Sequence, residues 1–304
     1  MQNGFMVLHS NRLEALTELV VDWLKQHPLA PLDQETVLVQ SNGMAQWLKL
    51  KLAEPEALGI SAGFSFQMPA RFLWSAYRQV LGEQRVPRTS PFDKSRLLWR
   101  LYRLLPALLD RPDFEPLRHF LDDDEDGRKR HQLAERLADL FDAYQVYRAD
   151  WLADWEHGVD RLRRAPDRAG GHALPAGQQW QPALWRALLE DLPEDQRHLS
   201  RAAIHDAFVE RLGHTPPPGL PARILVFGIS ALPQQALEAL AALSRHAQVL
   251  MLVQNPCKHY WADIVEDRHL LRAQLDSRRR HLDVPPDNPV HPLLAAWGKQ
   301  GRDF

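Results

Sequence analysis

A short apolar segment, a tight turn and an amphipathic helix occur in that order near the start of this chain. The unit recurs at once and returns a third time far downstream. Phe5, Met6, Val7 and Leu8 have the length and side chains of a strand, and His9-Ser10-Asn11-Arg12 turns the chain out of it. Leu13, Leu16, Val20, Trp23 and Leu24 then share one face at helical spacing. Asn11 and Glu14 have capping-box spacing, with Ser10 as the alternative cap. In the second copy Val37-Leu38-Val39-Gln40 is a buried-type strand, Ser41-Asn42-Gly43 the turn, and residues 44–53 a helix. In the third, residues 223–229 are a strand, 230–233 a turn, 234–244 a helix and 248–253 a further strand. Strands that alternate with helices predict an α/β fold, a parallel sheet with helices on both faces.

Between the second and third copies the period changes. Leu97, Leu98, Leu101 and Leu104, then Leu133, Leu137, Leu140, Phe141 and Tyr144, follow helical spacing. Pro106, Pro112 and Pro116 are expected to break this stretch into short helices. Residues 157–177 carry Arg161, Arg163, Arg164, Arg168 and Gly170-Gly171 and read as a mobile loop. Pro216-Pro217-Pro218-Gly219 marks the return to the sheet. The expected organisation is an α/β domain in two parts, residues 1–70 and 220–304, interrupted by a mainly α-helical insertion over 71–219.

At 304 residues and 45% hydrophobic, the chain can bury a sizeable core in two domains. A single cysteine, Cys257, excludes an internal disulfide framework and suits a reducing compartment. No cationic segment followed by an apolar run opens the sequence, and no stretch has the length of a membrane span, so the expected location is cytoplasmic, with no membrane partner. A formal net charge of −2 argues against a wholly electrostatic nucleic-acid binder and leaves room for a local basic groove.

Several chemistries are missing from the sequence. A phosphate loop needs glycines, so that backbone amides can close on phosphates, and a lysine to neutralise them. The turn His9-Ser10-Asn11-Arg12 has neither. At the only Gly-Lys pair, Gly298-Lys299, the required upstream glycine is Leu293. Nucleotide hydrolysis is therefore not expected of this chain. Asp122, Asp124, Asp126 and Gly127 match the start of a calcium loop, but the position of its bidentate glutamate is Leu133, so a solvated helix-connecting loop is expected instead. The fourteen histidines show no metal-binding pairing.

Some residue groups suit a nucleic acid. Gln40, Asn42 and Gln46 carry primary amides, which donate and accept at once as base edges require. Asn42 and Gln46 fall on one side if the helix begins near Asn42. That places them at the carboxyl end of a parallel strand, where α/β sheets bind ligands. A helix cap with surface amides uses the same residues. Met68 and Trp74 stand at the expected domain join, where an aromatic serves either to stack on a base or to pack between domains. Asp139 and Asp142, three apart with Leu140 between them, neighbour one another on a helix. They could accept from cytosine, contribute to a metal site, or pair with Arg136 or Arg148. Arg128-Lys129-Arg130 and Arg278-Arg279-Arg280 could follow phosphates or face solvent.

His9-Ser10-Asn11-Arg12-Leu13, Val39-Gln40-Ser41 with Gly43-Met44-Ala45-Gln46-Trp47, Leu140-Phe141-Asp142 with Val146-Tyr147-Arg148, Phe227-Gly228-Ile229-Ser230-Ala231-Leu232-Pro233 and Asn255-Pro256-Cys257 together resemble the RecC family, the gamma subunits of exodeoxyribonuclease V. The resemblance runs along essentially the whole chain. It implies that these residues form the amino-terminal part of a longer protein, without its carboxyl-terminal nuclease-like domain. It also implies an inactive superfamily 1 helicase-like domain, similar to P-loop NTPases but with no Walker A motif. In those terms residues 1–70 and 220–304 are the two parts of domain 1A, and 71–219 the helical insertion domain 1B. The family is non-catalytic by itself; its RecB and RecD partners use ATP and magnesium, so no cofactor is implied in this chain. Family members split and guide duplex DNA and read the Chi sequence in the 3′-ended single strand during double-strand break repair by recombination. A scaffold that only holds RecB and RecD is the alternative. The family's Chi-reading positions correspond to Gln40, Asn42, Gln46, Met68, Trp74, Asp139, Leu140, Asp142, Arg148 and Arg201. Asn42 stands where a threonine is usual and Met68 where a leucine is, which bears on which bases are preferred.

Overall fold

The computed structural model describes residues 3–163, 171–214 and 219–257, with Trp261 and Leu294. The chain opens with strand β1 (Gly4–Ser10), helix α1 (Leu13–Gln26), β2 (Glu35–Val39), α2 (Asn42–Leu52) and β3 (Phe64–Gln67). Helices α3 (Pro69–Leu81), α4 (Lys94–Leu108), α5 (Glu115–Leu121), α6 (Arg128–Tyr147) and α7 (Ala149–Glu156) follow. Next come β4 (Arg161–Arg163), β5 (Gly171–Ala173), α8 (Trp180–Glu190) and α9 (Arg201–Leu212). The described part closes with β6 (Arg223–Phe227), α10 (Gln234–Leu243) and β7 (Gln248–Gln254).

Two compact units result. The sheet unit comprises Met1–Leu73, Gly219–Leu232 and Leu240–Phe304, and the helical unit Trp74–Pro218 and Pro233–Ala239. The sheet has five strands in the order β1-β7-β6-β2-β3, all parallel. Its central strands β2 and β6 are buried at every residue, as a parallel sheet covered on both faces requires. Strand alternation sends Val37, Val39, Leu225, Phe227, Leu250 and Leu252 to one face, against Leu16, Val20 and Leu24 of α1 and Leu48 and Leu52 of α2. At the amino ends of the strands, fully buried Arg223 donates to Glu35 Oε1 (2.9 Å), Gln248 Oε1 (3.1 Å) and the His27 carbonyl (2.6 Å). Burial pushes the Glu35 carboxyl up and the Arg223 guanidinium down, each partly offset by the other's charge. The polar groups at this end hold the strands together.

The helical unit packs α4 against α6. Leu97, Leu101 and Leu105 of α4 recur every four residues and meet Ala134, Leu137, Ala138 and Phe141 of α6, with Trp155 and Trp185 completing the core. Among the described residues no helix is long and apolar enough to cross a membrane.

Several local expectations need correction. Strand β1 continues to Ser10, which pairs with Gln254, so neither Ser10 nor Asn11 caps α1. The Ser10 hydroxyl instead accepts from the Arg12 N–H at 3.2 Å. Pro106 does not break its helix. It lies in the last turn of α4, where the Leu109 N–H still reaches the Leu105 carbonyl at 3.2 Å. Pro112 and Pro116 do divide the stretch into short helical segments as expected, standing in first turns, where a missing N–H costs nothing. The expected loop over 157–177 contains β4 and β5, paired antiparallel with Leu162 opposite His172. The acidic run, by contrast, is the expected solvated loop between α5 and α6, and it also caps the second of these helices. Asp124 accepts from the Lys129 and Arg130 N–H groups, both at 2.9 Å, and Asp126 from that of Arg128 at 3.1 Å. Arg164, Arg168, Gly170, Pro216, Pro217, Pro218, Arg278, Arg279, Arg280, Leu293, Gly298 and Lys299 lie outside the described residues.

Candidate nucleic-acid interface

Strand β2 is buried to its last residue, Val39, and the chain becomes exposed at Gln40. Ser41 is extended (φ −153°, ψ 161°) and its hydroxyl accepts from the Met44 N–H at 3.2 Å, capping α2. The helix therefore begins at Asn42. Asn42 and Gln46 then stand at positions i and i+4, and both are exposed. Among the described residues no side-chain hydrogen bond engages Gln40, Asn42 or Gln46. Three free amides thus stand around a capped helix start, at the carboxyl end of a central strand. The neighbouring strand β6 is followed by Gly228, at φ +64°, a conformation that favours glycine. A Cβ there would lie 3.3 Å from Leu13 Cδ2 and 3.7 Å from Met44 Cε, so this glycine lets α1 and α2 close over the strand ends.

Met68, also in the sheet unit, is 44% exposed just before α3, and its carbonyl accepts from the Phe72 N–H at 3.1 Å. Trp74 belongs to the helical unit and is half-buried. Its indole N–H donates to the Pro87 and Arg88 carbonyls, each at 3.2 Å, and its ring meets Tyr77 edge-on at 6.2 Å. Trp74 thereby fastens the segment that follows α3, and only part of its ring is open to a ligand.

In the helical unit, Asp139 and Asp142 find cations that the sequence did not suggest. Lys94 at the start of α4 forms an ion pair with Asp139. Arg201, the first residue of α9, lies 3.2 Å from Asp142 Oδ1, out of line for a hydrogen bond, and 3.5 Å from Asp93 Oδ1. The bond that Lys94 donates to Asp139, with the nearby Asp139, Glu135 and Asp142 charges, pushes the Lys94 ammonium up, so it stays protonated. Neither Arg136 nor Arg148 pairs with these carboxylates. Asp93 and Lys94 precede Asp139 by a whole helical hairpin, so no local spacing could have joined them. Leu140 is half-buried beside them.

Arg148 stands apart from this cluster. Its guanidinium donates to Asp150 at 3.0 and 2.8 Å, bonds the Arg163 carbonyl and stacks 3.8 Å from the Trp151 ring. Close by, Asp154 is buried and accepts from Arg161 Nε (2.7 Å) and Arg163 Nε (2.6 Å). Hydrogen bonds from Arg163 outweigh the opposing effect of burial and, with those from Arg161, hold its carboxyl far below the usual carboxylate range.

The sequence over residues 5–304 matches the family model described as RecC, N-terminal domain. The chain belongs to the RecC family. It is 42% identical to the RecBCD enzyme subunit RecC of Escherichia coli strain K12, over 98% of this chain and 27% of that protein. The RecBCD enzyme subunit RecC of Haemophilus influenzae is 37% identical, over 99% of this chain and 30% of its own length. A more distant relative of the same description, from Mycolicibacterium smegmatis, is 29% identical over 98% of this chain. The chain thus spans under a third of the length of these curated relatives.

Proposed function

We propose that this chain is a non-catalytic DNA-handling part of a RecBCD-type helicase–nuclease, with RecB and RecD as its partner subunits. The carrying observation is the turn after β2, where Gln40, Asn42 and Gln46 expose unengaged amides at the carboxyl end of a central strand. These side chains read the edges of unpaired bases in the 3′-ended strand, the Chi-recognition role of the family. Asp139 and Asp142 accept from exocyclic amines once Lys94 and Arg201 swing towards the backbone phosphates of the same strand. Leu140 and Met68 supply apolar contacts, Trp74 a partly open ring, and Arg148 a rigid corner.

The sheet is read as a superfamily 1 helicase-like domain without ATPase chemistry. In support, only Asn11 and Arg12 connect β1 to α1, too short a link to wrap a phosphate, and neither is a glycine or a lysine. ATP and magnesium chemistry then falls to the partner subunits. A scaffold role suits Trp74 and Arg148 best, because their donors are already committed within the helical unit.

The test is Gln40→Ala, and separately Asp142→Ala, in the complete subunit assembled with its partners. Unwinding should persist while the response to Chi is lost or shifts to other sequences. Wild-type response to Chi in both variants would refute the assignment.

A further inference from the structure

Helix α4 carries a second feature of this kind, outside the residues assigned above. Its sequence contains Lys94, Arg96, Arg100 and Arg103 and no carboxylate, in a chain whose formal net charge is −2. In the middle of this basic helix Trp99 is 63% exposed. An indole ordinarily accounts for much of the burial in a core or an interface, so leaving one largely in water forgoes a substantial hydrophobic gain. Arg96, Trp99 and Arg103 stand at i, i+3 and i+7, on one face of the helix. Both arginines reach solvent: Arg96 is exposed and forms no ion pair among the described residues, and the Arg103 side chain is 62% exposed. Arg103 also holds Asp191 at 2.6 Å, a carboxylate that Arg100 approaches at 3.9 Å.

The ring is positioned rather than loose. Tyr102 and His131 meet it edge-on, with centroids 6.1 and 5.7 Å away. Arg130 in turn stacks on Tyr102 at 4.1 Å and donates to its hydroxyl at 2.7 Å. Along α4, Arg96 and Arg103 are about 10 Å apart at 1.5 Å per residue, a span that flexible side chains can adjust to two phosphates flanking one base.

We propose that the Arg96–Trp99–Arg103 stripe is a stacking platform for single-stranded DNA: a base lies on the Trp99 indole, and Arg96 and Arg103 hold the phosphates on either side. This rests on the reading of the chain as a DNA-handling subunit and adds a sequence-independent site to it. Every base has a stacking face, so the platform grips a strand whatever its sequence. Arg96, with no carboxylate partner among the described residues, and the largely exposed Arg103 leave this face complementary to a polyanion, which favours a nucleic acid over a protein as the occupant.

The test uses the complete subunit in its assembled enzyme and an oligodeoxythymidylate carrying 4-thiothymidine. Wild-type protein should crosslink at the peptide containing Trp99. Trp99→Ala should abolish that crosslink and weaken oligonucleotide binding about tenfold, while Trp99→Phe retains most of it. Arg96→Gln, on an exposed surface, should leave folding intact and reduce the salt slope of binding by about 0.7. Unchanged affinity and salt slope in the Trp99→Ala and Arg96→Gln variants, with crosslinks elsewhere, would overturn the proposal. So would loss of a subunit from the Trp99→Ala assembly, which would assign the stripe to a protein partner. If Gln40→Ala alters the Chi response while Trp99→Ala changes nothing, only the platform falls. If Trp99→Ala weakens binding while Gln40→Ala and Asp142→Ala respond to Chi normally, only the reading assignment falls.

Discussion

The turn after β2 and the carboxylate stretch of α6 are built from opposite materials. At the turn, Ser41 caps the helix through its hydroxyl and carbonyl, while Gln40, Asn42 and Gln46 are neutral, exposed and, among the described residues, unengaged. On α6, Asp139 and Asp142 face Lys94 and Arg201, and beyond them Arg148 is bonded and stacked in place. A ligand meeting the amides displaces only water. A ligand meeting the carboxylates must also separate charges, a cost that falls as each cation finds a phosphate instead. The first surface is therefore suited to direct reading, and the second to exchange between internal and external ion pairs.

The sharpest way to break the contrast is to unpair a buried charge in the helical unit. Asp154→Asn leaves Arg161 and Arg163 without their common carboxylate and should cost about 2–3 kcal/mol, less than a fully buried pair because both arginines remain partly exposed. The denaturation midpoint measures it. The pH dependence has a definite sign. The folded-state carboxyl is depressed, so its stabilisation is complete above the ordinary carboxylate value near 3.8 and is lost only as pH falls below that. The gap between wild type and Asp154→Asn should thus be constant from neutral pH to about pH 5 and narrow in stronger acid. A gap that closes near neutral pH would show that the carboxyl is not held by the arginines.

Next in size is Arg148→Ala, which removes the bonds to Asp150 and the stack on Trp151. A loss of about 1–2 kcal/mol is expected, because the side chain is only a quarter exposed. If Arg148 is a rigid corner, Arg148→Lys should recover little of that loss, since an ammonium cannot form the planar double contact. Full recovery by lysine would instead mark Arg148 as a simple positive charge, free to serve a phosphate.

Which of these features could be read in advance follows from the range of the forces involved. The four apolar strands β1, β2, β6 and β7 and the helices α1, α2 and α10 were legible, because hydrophobic period is a local signal. Strand β3, Phe64–Gln67, was not. It is an edge strand of four half-buried residues, Phe-Ser-Phe-Gln, whose alternation is too short to separate from a loop. The pairing of β4 with β5 was hidden by glycine and arginine composition that reads as loop. At the sites, the amides of Gln40, Asn42 and Gln46 and their helical register were visible. The partners of Asp139 and Asp142 were not, because Asp93, Lys94 and Arg201 reach them only through tertiary packing. For Trp99 the leucine period marked only the helix that carries it; its exposure depends on how α4 packs.

The smallest effects belong to the amide turn, and there the comparison is decided by contrast between neighbours. Ser41→Ala removes the side-chain cap of α2 and should lower stability by about 1 kcal/mol. Gln40→Ala, one residue earlier, should leave stability within about 0.5 kcal/mol of wild type, because the side chain is exposed and holds nothing in place. The two variants thus separate the frame of the turn from the groups it presents. A thermal midpoint that drops for Ser41→Ala and stays put for Gln40→Ala fits amides kept free for a ligand. An equal drop for Gln40→Ala would show that its amide is spent on the fold, leaving the turn no different in kind from the ion-paired surface of α6.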